Sequence, residues 1–153
     1  MSHYENGWAS LVKFCQEKIV ELKDLEVTSD MTYFDFDSFA DNQELPNNDI
    51  MGLVGYSQNK DEKFVYYDCI INVSPKNDDQ YGTKRRKIIG HLDNILKPHT
   101  TIPLVNHETG VTLGSLIVLS GVEIMPPLRT LERGVTGIGV SFACDVTSQQ
   151  YQK

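Results

Sequence analysis

The sequence predicts an α+β protein with one mainly antiparallel β-sheet and two α-helices packed against it. Two segments repeat apolar residues at the three- and four-residue spacing of amphipathic helices. The segments before and after the second helix alternate apolar and polar residues, as half-buried strands do. Short connections between successive strands favour antiparallel pairing. The length of 153 residues fits a single domain over 1–153, with 148–153 expected to be a flexible tail.

The first helix is predicted from apolar residues that recur at helical spacing and leave a charged opposite face. They are Trp8, Leu11, Val12, Cys15, Ile19 and Leu22. The helix is expected to span about five turns and to end near Asp24. In the next stretch, TYFDFDSF alternates aromatic and polar residues and predicts a short strand, whereas NQELPNND has the composition of a loop.

A β-hairpin is predicted from DIMGLVGY, the polar turn SQNKDE and KFVYYDCIINVSP. It pairs residues 50–57 with 62–74, and Pro75 ends the second strand because it has no N–H to donate.

The second helix is predicted within KNDDQYGTKRRKIIGHLDNILKP. Asp78 and Asp79 favour its N-terminal end through the helix dipole, and Pro98 closes it. The expected inner stripe is Tyr81, Arg85, Ile88, Ile89, Leu92, Ile95 and Leu96. Gly82 and Gly90 fall inside this prediction, where each costs up to about 1 kcal/mol relative to alanine unless a neighbour needs close approach.

The last third predicts further strands. HTTIPLVNHETGVTLGS holds turns and a short strand, LIVLSGVEIM is a strong strand, and PPLRTLERG is a loop. The final strand begins near Thr136 and ends near Thr147. It alternates bulky residues with Gly137, Gly139 and other small residues, which would admit a helix of the same chain or a neighbouring subunit.

Composition narrows the classes of function. The net charge of −7 argues against a dedicated duplex-binding protein. The chain has no long apolar run for a membrane span and no N-terminal secretory pattern. The three cysteines, Cys15, Cys69 and Cys144, are widely spaced and odd in number, so buried reduced thiols are expected.

A search for chemistry finds no committed site. Phosphate-cradling glycine loops, a nucleophile elbow and paired histidines at zinc-ligand spacing are all missing from the sequence. Asp35, Asp37 and Asp41 could gather around a hard cation, but a half-exposed strand explains their alternation with phenylalanines equally well. We therefore predict no catalytic residue, no cofactor and no metal, and a protein that is not an enzyme.

The order of elements resembles the tail-terminator proteins of long-tailed bacteriophages, also called tail-completion or minor tail proteins. The ending is most similar, with a late strand, the charged loop PPLRTLERG and the alternating strand VTGIGVSFACDV. The resemblance covers residues 5–148 as a pattern. The loop 41–48 and the segment 100–112 have no counterpart in that pattern.

The resemblance implies a structural virion protein located at the head-proximal end of the tail and assembled in the host cytoplasm. Such proteins form a hexameric ring that caps the tail tube, stops its polymerisation and provides the head-docking surface. The implied partners are further copies of the chain, the tail tube protein, a head-completion or neck protein, and the tail sheath in a contractile phage. A membrane and sequence-specific nucleic acid are not among them.

The residues expected at a subunit or tube interface are charged. Arg129, Glu132 and Arg133 lie in the loop before the last strand, and Lys84 and Arg86 belong to the one basic run. The alternative for both groups is a solvated surface. Two other functions stay open at this point: a stand-alone α+β module that binds a protein or a ligand, and a small enzyme whose site forms only in the fold.

Overall fold

The computed structural model describes residues 3–38, 45–60, 65–76, 82–125, 128–129 and 134–146. The helices are α1 (His3–Asp24) and α2 (Thr83–Ile95), with a 3₁₀ turn at Phe36–Ser38. The strands are β1 (Thr32–Tyr33), β2 (Ile50–Lys60), β3 (Val65–Ser74), β4 (Thr101–Val105), β5 (Thr112–Val118), β6 (Glu123–Ile124), β7 (Leu128–Arg129) and β8 (Gly134–Val146). The predicted α+β class is confirmed, because the helices pack against one mostly antiparallel, curled sheet.

The sheet has the strand order β1-β2-β3-β8-β5-β4. Among the strands of the described residues, β1 and β2 are the one pair that runs parallel. The last strand, β8, is central because β3 lies along one side while β5, β6 and β7 pair in turn with successive parts of it. The prediction of one continuous strand over 116–125 is wrong, since the chain leaves the ladder at 119–122 between β5 and β6. The expected loop before β8 also contributes the short strand β7.

Helix α1 is the first helix that the sequence predicts, and its end at Asp24 is confirmed. Its buried face joins a single hydrophobic cluster with the inner face of the sheet and with α2. Its largest fully buried side chains are Tyr67 of β3 and Phe142 of β8. One side of the sheet therefore carries both helices and the core.

Helix α2 begins later than the sequence predicts. Gly82 lies outside the helix, because its φ of 67° is left-handed and the helical residues start at Thr83. Of the predicted inner stripe, Ile88, Ile89, Leu92 and Leu96 are buried, whereas Arg85 and Ile95 are only partly buried. Asp78, Asp79 and Tyr81 fall outside the described residues.

The predicted hairpin of β2 and β3 is confirmed, with Met51 opposite Val73 and Leu53 opposite Ile71. The first strand is longer than predicted and reaches Lys60, with a bulge between Val54 and Ser57. The alternating aromatic stretch before it forms only the two-residue strand β1 and then the 3₁₀ turn.

The two glycines on the small-residue face of β8 pack against other residues of the same chain. A Cβ atom on Gly137 would lie 2.9 Å from Cγ2 of Ile70 and 3.3 Å from the Met125 sulfur. A Cβ atom on Gly139 would lie 3.1 Å from Cε of Met125. The absence of side chains there gives room to Ile70 and Asn72 of β3 and to Met125 just after β6, so these two positions contact their own chain.

The outer edge of the end strand β4 is partly covered by α1. Ser10 accepts a hydrogen bond of 2.9 Å from the Val105 N–H, and Asn6 Oδ1 accepts one of 3.0 Å from the His107 N–H. Pro103 in the middle of β4 has no N–H to offer. These features make the outer edge of β4 less available for pairing with a strand of another molecule.

The three thiols are expected to differ in reactivity. Burial raises the pKa of Cys15 to about 12 and also raises the pKa of Cys69, whereas Cys144 is only half-buried. A thiol reagent at mildly alkaline pH should therefore label Cys144 first, and Cys15 and Cys69 only after unfolding. Because unfolded thiols ionise near pH 8.5 and these two do not, native stability should fall as the pH rises above that value.

Labelling kinetics followed by mass spectrometry measure this difference. Cys144→Ser is the control, because it should remove the fast phase and leave the slow one. Rapid labelling of Cys15 in the native protein would contradict the burial of its thiol.

Candidate functional site

Strands β2 and β8 begin, and strand β3 ends, at the same end of the sheet, beside the first turn of α2. Asp49 immediately precedes β2, Ser74 ends β3, and Gly134 begins β8. The hydroxyl of Ser74 donates a hydrogen bond of 2.9 Å to the carbonyl of Gly134. Polar groups from distant parts of the sequence therefore meet at this end of the sheet.

Asp49 is the centre of this polar cluster and is fully buried. Its Oδ2 accepts a 2.6 Å hydrogen bond from the Thr28 hydroxyl and lies 3.2 Å from Nζ of Lys84. Its Oδ1 accepts a 2.9 Å hydrogen bond from the backbone N–H of Lys76. A buried carboxylate needs such partners, because a charge without them would be strongly destabilising.

Asp30 extends the cluster toward solvent. Its Oδ1 lies 3.3 Å from the N–H of Asp49, and its Oδ2 lies 3.0 Å from Nζ of Lys76. Burial tends to raise the pKa of Asp30, but the hydrogen bonds from Lys76 and the Asp49 N–H outweigh it, so the pKa is lowered. The stabilisation is present above the pKa of the unfolded state and is lost as the pH falls through the native pKa.

A pocket of about 340 Å³ opens beside the cluster, between the end of α1 and the start of α2. Its lining residues are Lys23, Glu26, Val27, Thr28, Ser29 and Lys84. Only Val27 is apolar, whereas small-molecule pockets are mostly apolar. The Thr28 hydroxyl and the Lys84 ammonium already bond to Asp49, so these groups hold α2 against the loop before β2.

The basic run lies next to the start of β8. Nη2 of Arg85 lies 2.9 Å from where a Cβ atom would stand on Gly82, and its Nη1 lies 3.7 Å from that position on Gly134. The first turn of α2 therefore adjoins the point where the charged loop rejoins the sheet. Arg86 is exposed there, whereas Lys84 is turned inward to Asp49 and its side chain is 24% exposed.

The loop residues of the predicted interface are only partly described. Arg129 belongs to β7, where its backbone pairs with Gly134. Its side chain, Glu132 and Arg133 lie outside the described part of the chain. Their role at an interface stays a prediction.

Sequence reasoning missed Asp30 and Asp49. Both occur in polar stretches, around TSD and NND, that have the composition of loops. The one available signal was the position of Asp49 directly before a buried strand. That position alone does not distinguish a solvated turn residue from a buried carboxylate, because its partners Thr28 and Lys84 are distant in sequence.

A second ionic contact joins the two helices. Glu21 of α1 lies 2.5 Å from Nζ of Lys18 and 3.1 Å from Nε2 of His91 in α2. The hydrogen bond from Lys18 is the main cause of a lowered pKa at Glu21, and His91 adds to it. Glu21 is 42% exposed, so solvent screening keeps this contribution small.

The aspartates considered as cation ligands make a local turn contact instead. The N–H of Asp37 donates a 3.1 Å hydrogen bond to Oδ1 of Asp35, and Asp41 lies outside the described residues. Among the residues that the structure describes, no three His, Cys, Asp or Glu side chains are grouped as metal ligands would be.

No protein-family model matches the chain, and no curated protein matches it significantly. Neither helix in the described ranges is long and apolar enough for a bilayer crossing.

Proposed function

We propose that this protein is a structural component of a phage tail that forms a ring at the head-proximal end of the tail tube. In this role it would stop polymerisation of the tube and present a surface to the head. The proposal rests on the order of elements, which resembles that of the tail terminators, with a helix, strands, a second helix and a final strand preceded by a charged loop.

The observation that carries the proposal is the position of the basic run of α2 beside the start of the last strand. Arg85 of α2 adjoins Gly134, so the basic run lies beside the point where β8 begins. Gly134 pairs in turn with the backbone of Arg129, which is far from Arg85 in sequence. A surface built from two separate elements can hold a neighbouring protein in a defined orientation.

Ring formation tests the proposed function. The purified chain, examined by electron microscopy and sedimentation with and without tail tubes, should form rings in solution or caps on tube ends. Tubes assembled with the protein should stop growing. A chain that stays monomeric and binds neither tube nor capsid components would refute the proposal.

Single substitutions of the predicted interface residues test the role of the loop. At least one of Arg129→Ala, Glu132→Ala and Arg133→Ala should impair rings while melting of the subunit stays unchanged. A desolvated arginine–carboxylate pair would lose about 2–5 kcal/mol of association when one member is removed, largely because the other charge is left unpaired. Normal rings and normal tail length in all three variants would identify these residues as solvated loop charges.

A further inference from the structure

The two helices differ in how their charges fit the helix dipole. Helix α1 has Glu5 in its first turn and Lys23 in its last turn, and both positions are favourable. Helix α2 has no acidic residue in its first turn and no basic residue in its last turn. The basic run 84–87 begins in that first turn, and Asp93 lies in the last turn, with its Oδ2 3.6 Å from Nζ of Lys97 just beyond the helix. The charges within α2 therefore oppose its own dipole.

The glycines of α2 lower its intrinsic stability further. Gly82 holds the N-cap position and supplies no side-chain hydrogen bond to the first turn. Gly90 lies in the helix interior, where no described atom outside the backbone of its own helix lies within 4 Å of a Cβ position. Alanine at such a position favours the helical state by about fivefold. A helix of 13 residues with these features depends on its contacts with the rest of the chain.

Helix α2 is held by one apolar face and by polar contacts at its first turn and in its middle. Its buried apolar residues belong to the core cluster. At its first turn, Nζ of Lys84 lies 3.2 Å from Oδ2 of Asp49, which immediately precedes β2. In its middle, Nε2 of His91 lies 3.1 Å from Oε1 of Glu21 in α1. The contact with Asp49 joins the cation-rich end of α2 to a fully buried carboxylate, so it offsets part of the unfavourable dipole interaction there.

Displacement of α2 leaves the strand pairing of the sheet intact. Among the described elements, α2 connects β3 to β4 and packs chiefly against β3, whereas α1 packs against β1, β2 and β4. Strand β3 is paired with β2 and β8, and β4 is paired with β5. The sheet and α1 therefore keep their contacts with each other when α2 moves away. Elements of low local stability open before the rest of a structure unfolds.

We propose that α2 opens as a separate unit while the sheet and α1 remain folded, with the contact between Lys84 and Asp49 as its latch. The open form is a second conformation of the chain, in which the sheet no longer carries α2. A binding partner that prefers this form would shift the population toward it. The opening goes beyond the proposed ring function and does not depend on it, so it is measured on the isolated chain.

Hydrogen exchange of the native protein, resolved by mass spectrometry, measures the opening directly. After correction for intrinsic rates, the amides of α2 should exchange about tenfold or more faster than the most protected amides of β3 and β8, because they exchange without global unfolding. Equal protection of α2 and these two strands would overturn the proposal.

Val105→Ala separates the opening of α2 from global unfolding. Val105 is buried at the end of β4, where its N–H donates a hydrogen bond to Ser10 of α1, whereas α2 packs chiefly against β3. The smaller side chain should speed exchange of the most protected sheet amides by about tenfold, because it lowers global stability. The amides of α2 should keep the wild-type rate, since β4 stays folded in the open form. Equal acceleration of both sets would mean that α2 opens only with the whole molecule and would overturn the proposal.

Gly90→Ala tests whether α2 opens as one unit. It should slow exchange across the whole of α2 by about fivefold, because alanine favours the helical form and has no such effect on the open one. Gly121→Ala is the matched control, since it lies outside α2 with no heavy atom within 4 Å of its Cβ position, and it should leave the exchange of α2 unchanged. Slowing confined to the amides next to residue 90 would show fraying of single turns and would refute the unit.

Lys84→Met tests the latch, and Lys87→Met on the exposed side of the same helix is its control. Lys84→Met should speed exchange of α2 by about tenfold or more, because Asp49 loses the cation that it faces in the closed form. Lys87→Met should leave the rate near that of the wild type. Equal effects of the two variants would mean that the contact with Asp49 does not hold α2 and would overturn its role as the latch.

Discussion

Replacing Asp49 by alanine should destabilise the protein by about 3 kcal/mol. The change leaves the Lys84 ammonium without the carboxylate that it faces at 3.2 Å, and it removes the acceptor of the Thr28 hydroxyl and the Lys76 N–H. Loss of one partner of a buried ion pair costs about 3–5 kcal/mol. The lower end applies because Lys84 is 24% exposed and can turn partly toward water. Urea unfolding measures the change.

The controls separate this cluster from ordinary surface charge. Glu17→Ala removes an exposed carboxylate of α1 and should change stability by less than about 0.5 kcal/mol. Asp49→Ala combined with Lys84→Met should cost less than the sum of the two single changes, because each single change leaves an uncompensated group. An Asp49→Ala variant as stable as the wild type would contradict the buried position of this carboxylate.

Replacing Gly52 by alanine should be at least as damaging. A Cβ atom there would lie 1.8 Å from the carbonyl oxygen of Phe34 and 3.2 Å from the Phe36 ring. The obstacle is backbone, which cannot rotate away, so β1 and the 3₁₀ turn would have to separate from β2. We expect a loss of more than about 3 kcal/mol, beyond the usual cost of overpacking.

Gly121→Ala is the matched control, because no heavy atom lies within 4 Å of the added Cβ position and the residue is exposed. Thermal melting of the two variants should differ clearly, with Gly121→Ala close to the wild type. If Gly52→Ala melted like the control, Phe34 could not approach β2 as closely as the structure has it.

The apolar spacing of the sequence predicted both helices, the hairpin and the final strand. The prediction was wrong where one local sequence pattern is compatible with two different structures. The run LIVLSGVEIM has the composition of one strand, yet β8 pairs with it only at 116–118 and at β6 because the chain leaves the ladder between them. Gly82 has no side chain that could mark a helix start, and only its left-handed φ places it outside α2.

The polar cluster could not be predicted for a different reason. Thr28, Asp49 and Lys84 come from three segments whose sequences are typical of loops or solvated helix ends. Their roles depend on the packing of α2 beside the start of β2, which buries one carboxylate and leaves its partners around it. The sequence likewise contained Arg85 and Gly134 without any signal that they are neighbours.

The sequence by itself determined the α+β class and the residues that face the core, because the period of apolar residues follows directly from helix and strand geometry. The tertiary structure alone decided which strand is central, which glycine is crowded and which charge is buried. Gly52 and Gly90 are the same residue type in the sequence. The Phe34 carbonyl oxygen leaves no room for a Cβ atom on Gly52, whereas no described atom outside the backbone of its own helix lies within 4 Å of that position on Gly90. Such differences arise from contacts between distant segments, and these exist only once the sheet and helices have packed.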